Sequence, residues 1–154
     1  MYKNVAIIGS SGGIGSELCR QIQSKYKPDN IFEFSRSGVW AINESTKINV
    51  DITDEASIQT AINKIPEDIK FDLVFVATGR LHDDVNEIMP EKALSQLDGN
   101  NMIETMWINA IGPSLIAKEL VPKLRRDDKS VFAALTARVG SISDNHLGGW
   151  YGYR

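Results

Sequence analysis

Cysteine is almost absent from this chain of 154 residues: Cys19 stands alone, so no internal disulfide can form and stability must come from a packed core. Histidine is scarce too. Neither His82 nor His146 has a Cys, Asp or Glu partner at a metal-binding spacing, so no metal site is expected. An excess of positive charge is also missing: the formal net charge is −3 and the pI about 5.4, which offers no field for a nucleic-acid backbone or an anionic membrane. No apolar run approaches the roughly 18 residues that a membrane-spanning helix requires. Met1-Tyr2-Lys3-Asn4 leads straight into a strand-like run rather than a signal peptide. Nucleic acid and membrane therefore have no support as partners, a small molecule is the expected ligand, and a reducing cytoplasm the expected compartment. Repeats, low-complexity tracts and Pro/Gly/Ser-rich linkers are lacking as well, so residues 1–154 read as one domain.

With 42% hydrophobic and 24% charged residues, the composition is that of a globular domain able to bury a single core. Short apolar, β-branched runs occur at Val5 to Ile8, Ile31 to Phe34, Ile48 to Val50, Leu73 to Ala77 and Val131 to Leu135, each too short for a helix. Between them lies helical spacing: Ile14, Leu18, Ile22; then Ala56, Ile58, Ile62, Ile65; then a long stretch from about Met102 to Leu124. Apolar strands alternating with helices predict a parallel sheet covered on both faces, because each crossover returns over the sheet in the right-handed sense. The expected fold is α/β, a Rossmann-type doubly wound sheet of about five strands. The connection after the second strand, around Val39 to Glu44, has no clear signal and is left open. Cys19, beside Leu18 and Ile22, reads as core rather than reactive.

The run Gly9-Ser10-Ser11-Gly12-Gly13-Ile14-Gly15 sits between the first strand and the first helix. A helix N-terminus presents unpaired N–H groups and a positive dipole end, and glycine lets a pyrophosphate approach the backbone. No Gly-Lys-Ser/Thr follows, which excludes a P-loop and leaves a dinucleotide cradle. Gly9, Gly13 and Gly15 fit one known spacing; Gly9, Gly12 and Gly15 fit another. The second strand ends in Ser35-Arg36-Ser37, where an NAD-binding fold usually carries an acid for the ribose 2′-hydroxyl. Arg36 and the two serines suit a 2′-phosphate instead, so NADP is preferred to NAD. Glu33 does not take the acid's place, because its side chain alternates with its apolar neighbours.

The glycine run, Asp51-Ile52, Ala77-Thr78-Gly79, Asn109-Ala110-Ile111-Gly112 and the tail Tyr151-Gly152-Tyr153-Arg154 together resemble the ordered motifs of the short-chain dehydrogenase/reductase family, over the whole chain. The stretch from Ala133 to Asn145, followed by Gly148-Gly149-Trp150-Tyr151, resembles its C-factor-like subgroup. The resemblance implies an NADP-dependent oxidoreductase reducing a small carbonyl compound. Asp51 would accept a hydrogen bond from adenine, with Ile52 packing on the ring. Ala77-Thr78-Gly79 would admit the nicotinamide ribose, in place of the family's usual Asn-Asn-Ala-Gly. Tyr153 would be the proton donor, and Asn109 would hold a water in a proton relay. The family's serine pair corresponds here to Thr136-Ala137, so the hydroxyl that holds the substrate oxygen is either Ser141, by its separation from Tyr153, or Thr136.

A phenol works as an acid/base near neutrality only when a cation stabilises the phenolate. In the family that cation is a lysine four residues after the tyrosine, a position beyond Arg154. The expectation is therefore an N-terminal part of a longer reductase, inactive in this form, with its fifth strand left as an exposed edge. A homo-oligomer is left open for the full-length form. The alternative is a non-catalytic NADP-binding or protein-interaction remnant.

Overall fold

The computed structural model describes residues 2–84, 88–143 and 145–154. Five strands form one sheet: β1 (Asn4–Ile8), β2 (Asn30–Ser35), β3 (Thr46–Asn49), β4 (Leu73–Val76) and β5 (Val131–Ala134). Their spatial order is β3-β2-β1-β4-β5 and every pairing is parallel. The direction of winding reverses at β1, between β2 and β4, and such a reversal opens a crevice at the C-terminal strand ends.

Alternation along β1 explains why both faces are covered. Ala6 and Ile8 join one apolar cluster with Phe34, Ile58, Ile62, Ile116 and Leu120. Val5 and Ile7 join the other with Cys19, Ile22 and Ile31. One face is therefore packed by helix α1 (Gly13–Tyr26), the other by α2 (Glu55–Ile62) and α4 (Gly112–Leu120). Among the described residues β5 pairs only with β4, and Val131 and Leu135 stay exposed. No helix among them is long and apolar enough to cross a membrane.

The long helical stretch is longer and less regular than its spacing indicates. It starts at α3 (Gly99–Met106), where the Asp98 side chain accepts from Asn101 N at 2.9 Å, and passes through a π-helical segment, Trp107–Ile111, into α4. Gly112-Pro113, a pair that disturbs a helix, is preceded by a widened turn. Pro113 has no N–H for the Asn109 carbonyl, and Gly112 N donates five residues back, to Trp107 O. Gly112 also lets the helix close on the loop after β3, for a Cβ there would lie 2.7 Å from Ile52 O.

Residues 36–45, left open by the sequence, contain no helix. A buried carboxylate organises them instead. Glu33 is fully buried and accepts from Ala41 N (2.7 Å), Ile42 N (3.2 Å) and Ser45 Oγ (2.6 Å). Its alternation with apolar neighbours turns it away from the strand ends, toward this connection. Burial, with Glu33 close by, pushes the Cys19 thiol up to about 12, so Cys19 stays a neutral core side chain.

Candidate functional site: a crevice at the C-terminal strand ends

β1 leaves the sheet at Ile8 and turns sharply through Gly9, whose φ of 84° a side chain would resist. The turn is sewn to β2: Gly9 N, Ser10 N and Ser10 Oγ all donate to Phe34 O, at 2.8, 3.1 and 3.3 Å. Ser10 is therefore buried and committed to the fold, whereas Ser11 lines the crevice. Helix α1 begins with Gly12 as N-cap, no side chain capping it and no acid in its first turn. Its first backbone bond is Ser16 N to Gly12 O at 2.8 Å, so the N–H groups of Gly13, Ile14 and Gly15 have no partner within the helix. A Cβ on Gly15 would collide with the Gly9 carbonyl, while one on Gly13 would meet nothing within 4 Å. Packing requires Gly9 and Gly15, the glycines common to both spacings; the fold makes no such demand at Gly13, which faces open space.

A crevice of about 540 Å³ opens before this helix end. Ser35, Arg36 and Ser37 line one side, with the two serine hydroxyls 3.1 Å apart. The Arg36 side chain is 73% exposed, and its Nη1 lies 4.0 Å from Asp51 Oδ2. Asp51 and Ile52 line the floor. Oδ1 of Asp51 accepts from Thr53 N (2.9 Å) and Thr53 Oγ1 (2.7 Å), leaving Oδ2 toward Arg36. Burial pushes the Asp51 pKa up, but the two Thr53 hydrogen bonds and the Arg36 charge outweigh it and hold the carboxyl below its usual range. Helix initiation falls to Asp54, whose side chain caps α2 on Ala56 N at 2.9 Å.

The far wall of the crevice is Ala77-Thr78-Gly79-Arg80, which also borders a second cleft of about 650 Å³. Thr78 Oγ1 is buried there without a partner. The second cleft is lined by Asn109, Thr136 and Tyr153. Ser141 lies outside that lining, exposed, with its hydroxyl 3.0 Å from Ser143 Oγ. Tyr153 packs edge-to-face with Trp150 at 6.3 Å, and Tyr151 lies outside the lining. Each polar atom of the Asn109 amide makes one bond to Arg80: Oδ1 accepts from Arg80 N at 2.7 Å and Nδ2 donates to Arg80 O at 2.8 Å.

Arg80, which sequence reading passed over, is buried and reaches Glu104 Oε1 (2.9 Å), Thr105 Oγ1 (3.0 Å) and Asn101 O (3.3 Å). No local spacing pairs it with α3, 24 residues downstream. Arg154 is held by backbone carbonyls alone among the described residues: Nε to Gly149 O (2.8 Å), Nη1 to Val139 O (2.6 Å) and Nη2 to Gly148 O (3.3 Å). The residues around the crevice fit a dinucleotide on two observations: space for a Cβ at Gly13 that no protein atom uses, and the unpartnered Thr78 hydroxyl on the opposite wall.

No family model matches the chain. It is 28% identical over 153 residues to 1-hydroxy-2-glutathionyl-2-methyl-3-butene dehydrogenase of Rhodococcus sp. (strain AD45), covering 97% of this chain and 63% of that protein. Over 62 residues it is 39% identical to C-signal of Myxococcus xanthus, covering 40% of this chain and 37% of that one. The chain thus spans less than two thirds of each of these curated relatives. Among solved structures, the NADPH-bound carbonyl reductase from chicken fatty liver superposes with a TM-score of 0.81 at 19% identity, covering 99% of this chain and 64% of the other. The fold is the Rossmann-type doubly wound sheet of that reductase.

Proposed function

We propose that this chain is the cofactor-binding part of an NADP-dependent oxidoreductase of the short-chain dehydrogenase/reductase type, acting on a small carbonyl or alcohol substrate. One observation carries the reading: the crevice beneath the uncapped end of α1 and the cleft lined by Tyr153 share a wall, Ala77 to Arg80. A dinucleotide lying along the crevice from Arg36 has its other end at the cleft. NADPH, when bound, supplies hydride to the substrate carbon. The uncapped N–H groups of Gly13, Ile14 and Gly15 receive the pyrophosphate, and Ser35, Arg36 and Ser37 the 2′-phosphate. Ile52 supports the adenine ring, and Oδ2 of Asp51 accepts from its amino group.

Tyr153 gives its phenolic proton to the substrate oxygen. Of the two hydroxyls considered for holding that oxygen, the lining of the cleft supports Thr136 over Ser141. Asn109 clamps the loop at Arg80 through one bond at each polar atom of its amide and also holds the water of a proton relay. The C-signal match over part of the chain supports placement in the C-factor-like subgroup.

A second reading, a non-catalytic NADP-binding protein, is favoured by the cations of the cleft. Arg80 is paired with Glu104, and Arg154 is held by backbone carbonyls. Fluorescence titration of the chain with NADPH and NADH tests the shared premise: tighter binding of NADPH supports it, and no binding of either by the folded protein overturns it. Loss of absorbance at 340 nm with a panel of small aldehydes and ketones, using the protein from its native source, separates the two readings. Turnover abolished by Tyr153→Phe supports the reductase; tight NADPH binding with no turnover supports the second.

A further inference from the structure

The wall between crevice and cleft starts at Ala77, whose N–H donates to Ile8 O at 2.8 Å and which packs with Thr78 against Gly9, but its far end, Thr78-Gly79, has little side chain to hold it in place. Thr78 Oγ1 bonds to nothing, and a Cβ on Gly79 would touch only Asn109 Oδ1, at 3.7 Å. What fixes that far end is the next residue. Both main-chain groups of Arg80 are clamped by the Asn109 amide, at 2.7 and 2.8 Å. Its guanidinium spans to α3, with Nη1 on Glu104 and Nη2 on both Thr105 Oγ1 and Asn101 O. The side chain is only 9% exposed and Nε has no partner, so a buried cation is retained here with its hydrogen bonding incomplete. Burying a guanidinium costs solvation that one ion pair and two hydrogen bonds must offset. An apolar side chain would pack the loop without that cost.

We propose that Arg80 is the positioning residue for the nicotinamide half of the dinucleotide. It pins the wall at the junction of the two cavities to α3 and to the π-helical segment, while the adenine half rests on Arg36 and Asp51 at the opposite end of the crevice. This rests on the dinucleotide reading above. No side chain of Ala77-Thr78-Gly79 replaces the fork, and lysine, a single compact charge, lacks the two separate arms that meet Glu104 and Thr105.

The test compares two ligands on the same protein by fluorescence or calorimetric titration: NADPH, which occupies both halves, and adenosine 2′,5′-bisphosphate, which occupies the adenine half alone. Arg80→Met is expected to weaken NADPH binding about tenfold and leave the bisphosphate unchanged, with no rescue by Arg80→Lys. Glu104→Gln changes a half-exposed carboxylate outside both cavities and should fold like the wild type. Its expected effect is a loss of about threefold in NADPH binding with the bisphosphate again unaffected. Equal losses for both ligands, or unchanged NADPH binding in Glu104→Gln, would overturn the proposal. Wild-type protein that binds neither ligand would overturn the dinucleotide reading itself, a result separable from the first.

Discussion

At the N-terminal edge of the sheet every polar group of Asp72 is used; at the C-terminal edge polar groups are left waiting. Oδ2 of Asp72 accepts from Lys3 N and Asn4 N at 2.7 and 2.8 Å, and Oδ1 from Arg125 Nη1 at 2.8 Å. Its main chain bridges Asn4 O and Val131 N, both at 2.9 Å, tying β1, β4 and β5 together. Across the sheet, α1 begins without a capping side chain and Thr78 Oγ1 is unpartnered. A closed edge lowers the free energy of the fold alone, whereas an open one keeps donors for something else to satisfy. The same strands thus end once in a closed network and once in an open crevice.

The comparison breaks most sharply at Gly15, where the open edge itself depends on packing. Gly15→Val drives a side chain into the Gly9 carbonyl and is expected to cost about 3 kcal/mol or more, read as loss of the cooperative unfolding transition. Asp72→Ala strands the Lys3 and Asn4 amides, and should cost about 2 kcal/mol in urea denaturation while NADPH affinity stays at the wild-type value. Had the two edges been coupled, affinity would fall as well.

Acid sharpens the same contrast. Burial works to raise the Asp72 pKa, but the Asn4 and Lys3 amides and Arg125 overcome it and hold the carboxyl below its ordinary value of 3.8. A depressed folded-state pKa gives stability that is present above the unfolded value and lost as pH falls through the folded one. Stability followed by circular dichroism should therefore decline below about pH 4, and more shallowly in Asp72→Asn.

Smaller effects belong to the open edge. Arg36→Ala removes an exposed cation and should leave stability unchanged, while NADPH binding weakens about tenfold toward that of NADH. Gly13→Ala is expected to act with opposite signs. Its methyl group meets no protein atom and should raise helix stability by up to about 0.5 kcal/mol, yet it fills the space before the α1 end and should weaken NADPH binding.

Strands were legible because burial on both faces demands apolar side chains at every position; Val5-Ala6-Ile7-Ile8 and Leu73-Val74-Phe75-Val76 permit few other readings. The β2–β3 connection was illegible because no periodicity organises it. Glu33 does, by hydrogen bonds to residues eight to twelve positions away. The disturbance in the long helix could be read from Gly112-Pro113, but its π-helical form depends on which carbonyl loses its donor and on the loop that Gly112 admits.

Site residues divide in the same way. Gly9, Ser11 and Gly12 of the glycine run, with Arg36 and Asp51, stand at strand ends, where local sequence and strand position together put them on the crevice. Separation from Tyr153 along the chain favoured Ser141 over Thr136, but which hydroxyl lines the cleft with Tyr153 depends on the path of the loop after β5. Asn109 was visible as a polar residue on an apolar helix, but not its partner, the peptide of Arg80.

By itself the sequence determined strand order along the chain, the alternation that covers both faces of the sheet, and a glycine turn that needs positive φ at Gly9 and no side chain at Gly15. These are local requirements of backbone geometry and hydrophobic period, written in neighbouring residues. Tertiary structure alone decided that Arg80 joins α3, that Glu33 builds the β2–β3 connection, and that crevice and cleft meet at Ala77 to Arg80. Each of those rests on contacts between residues far apart in the chain, or on the path of an irregular loop, and neither follows from a local pattern.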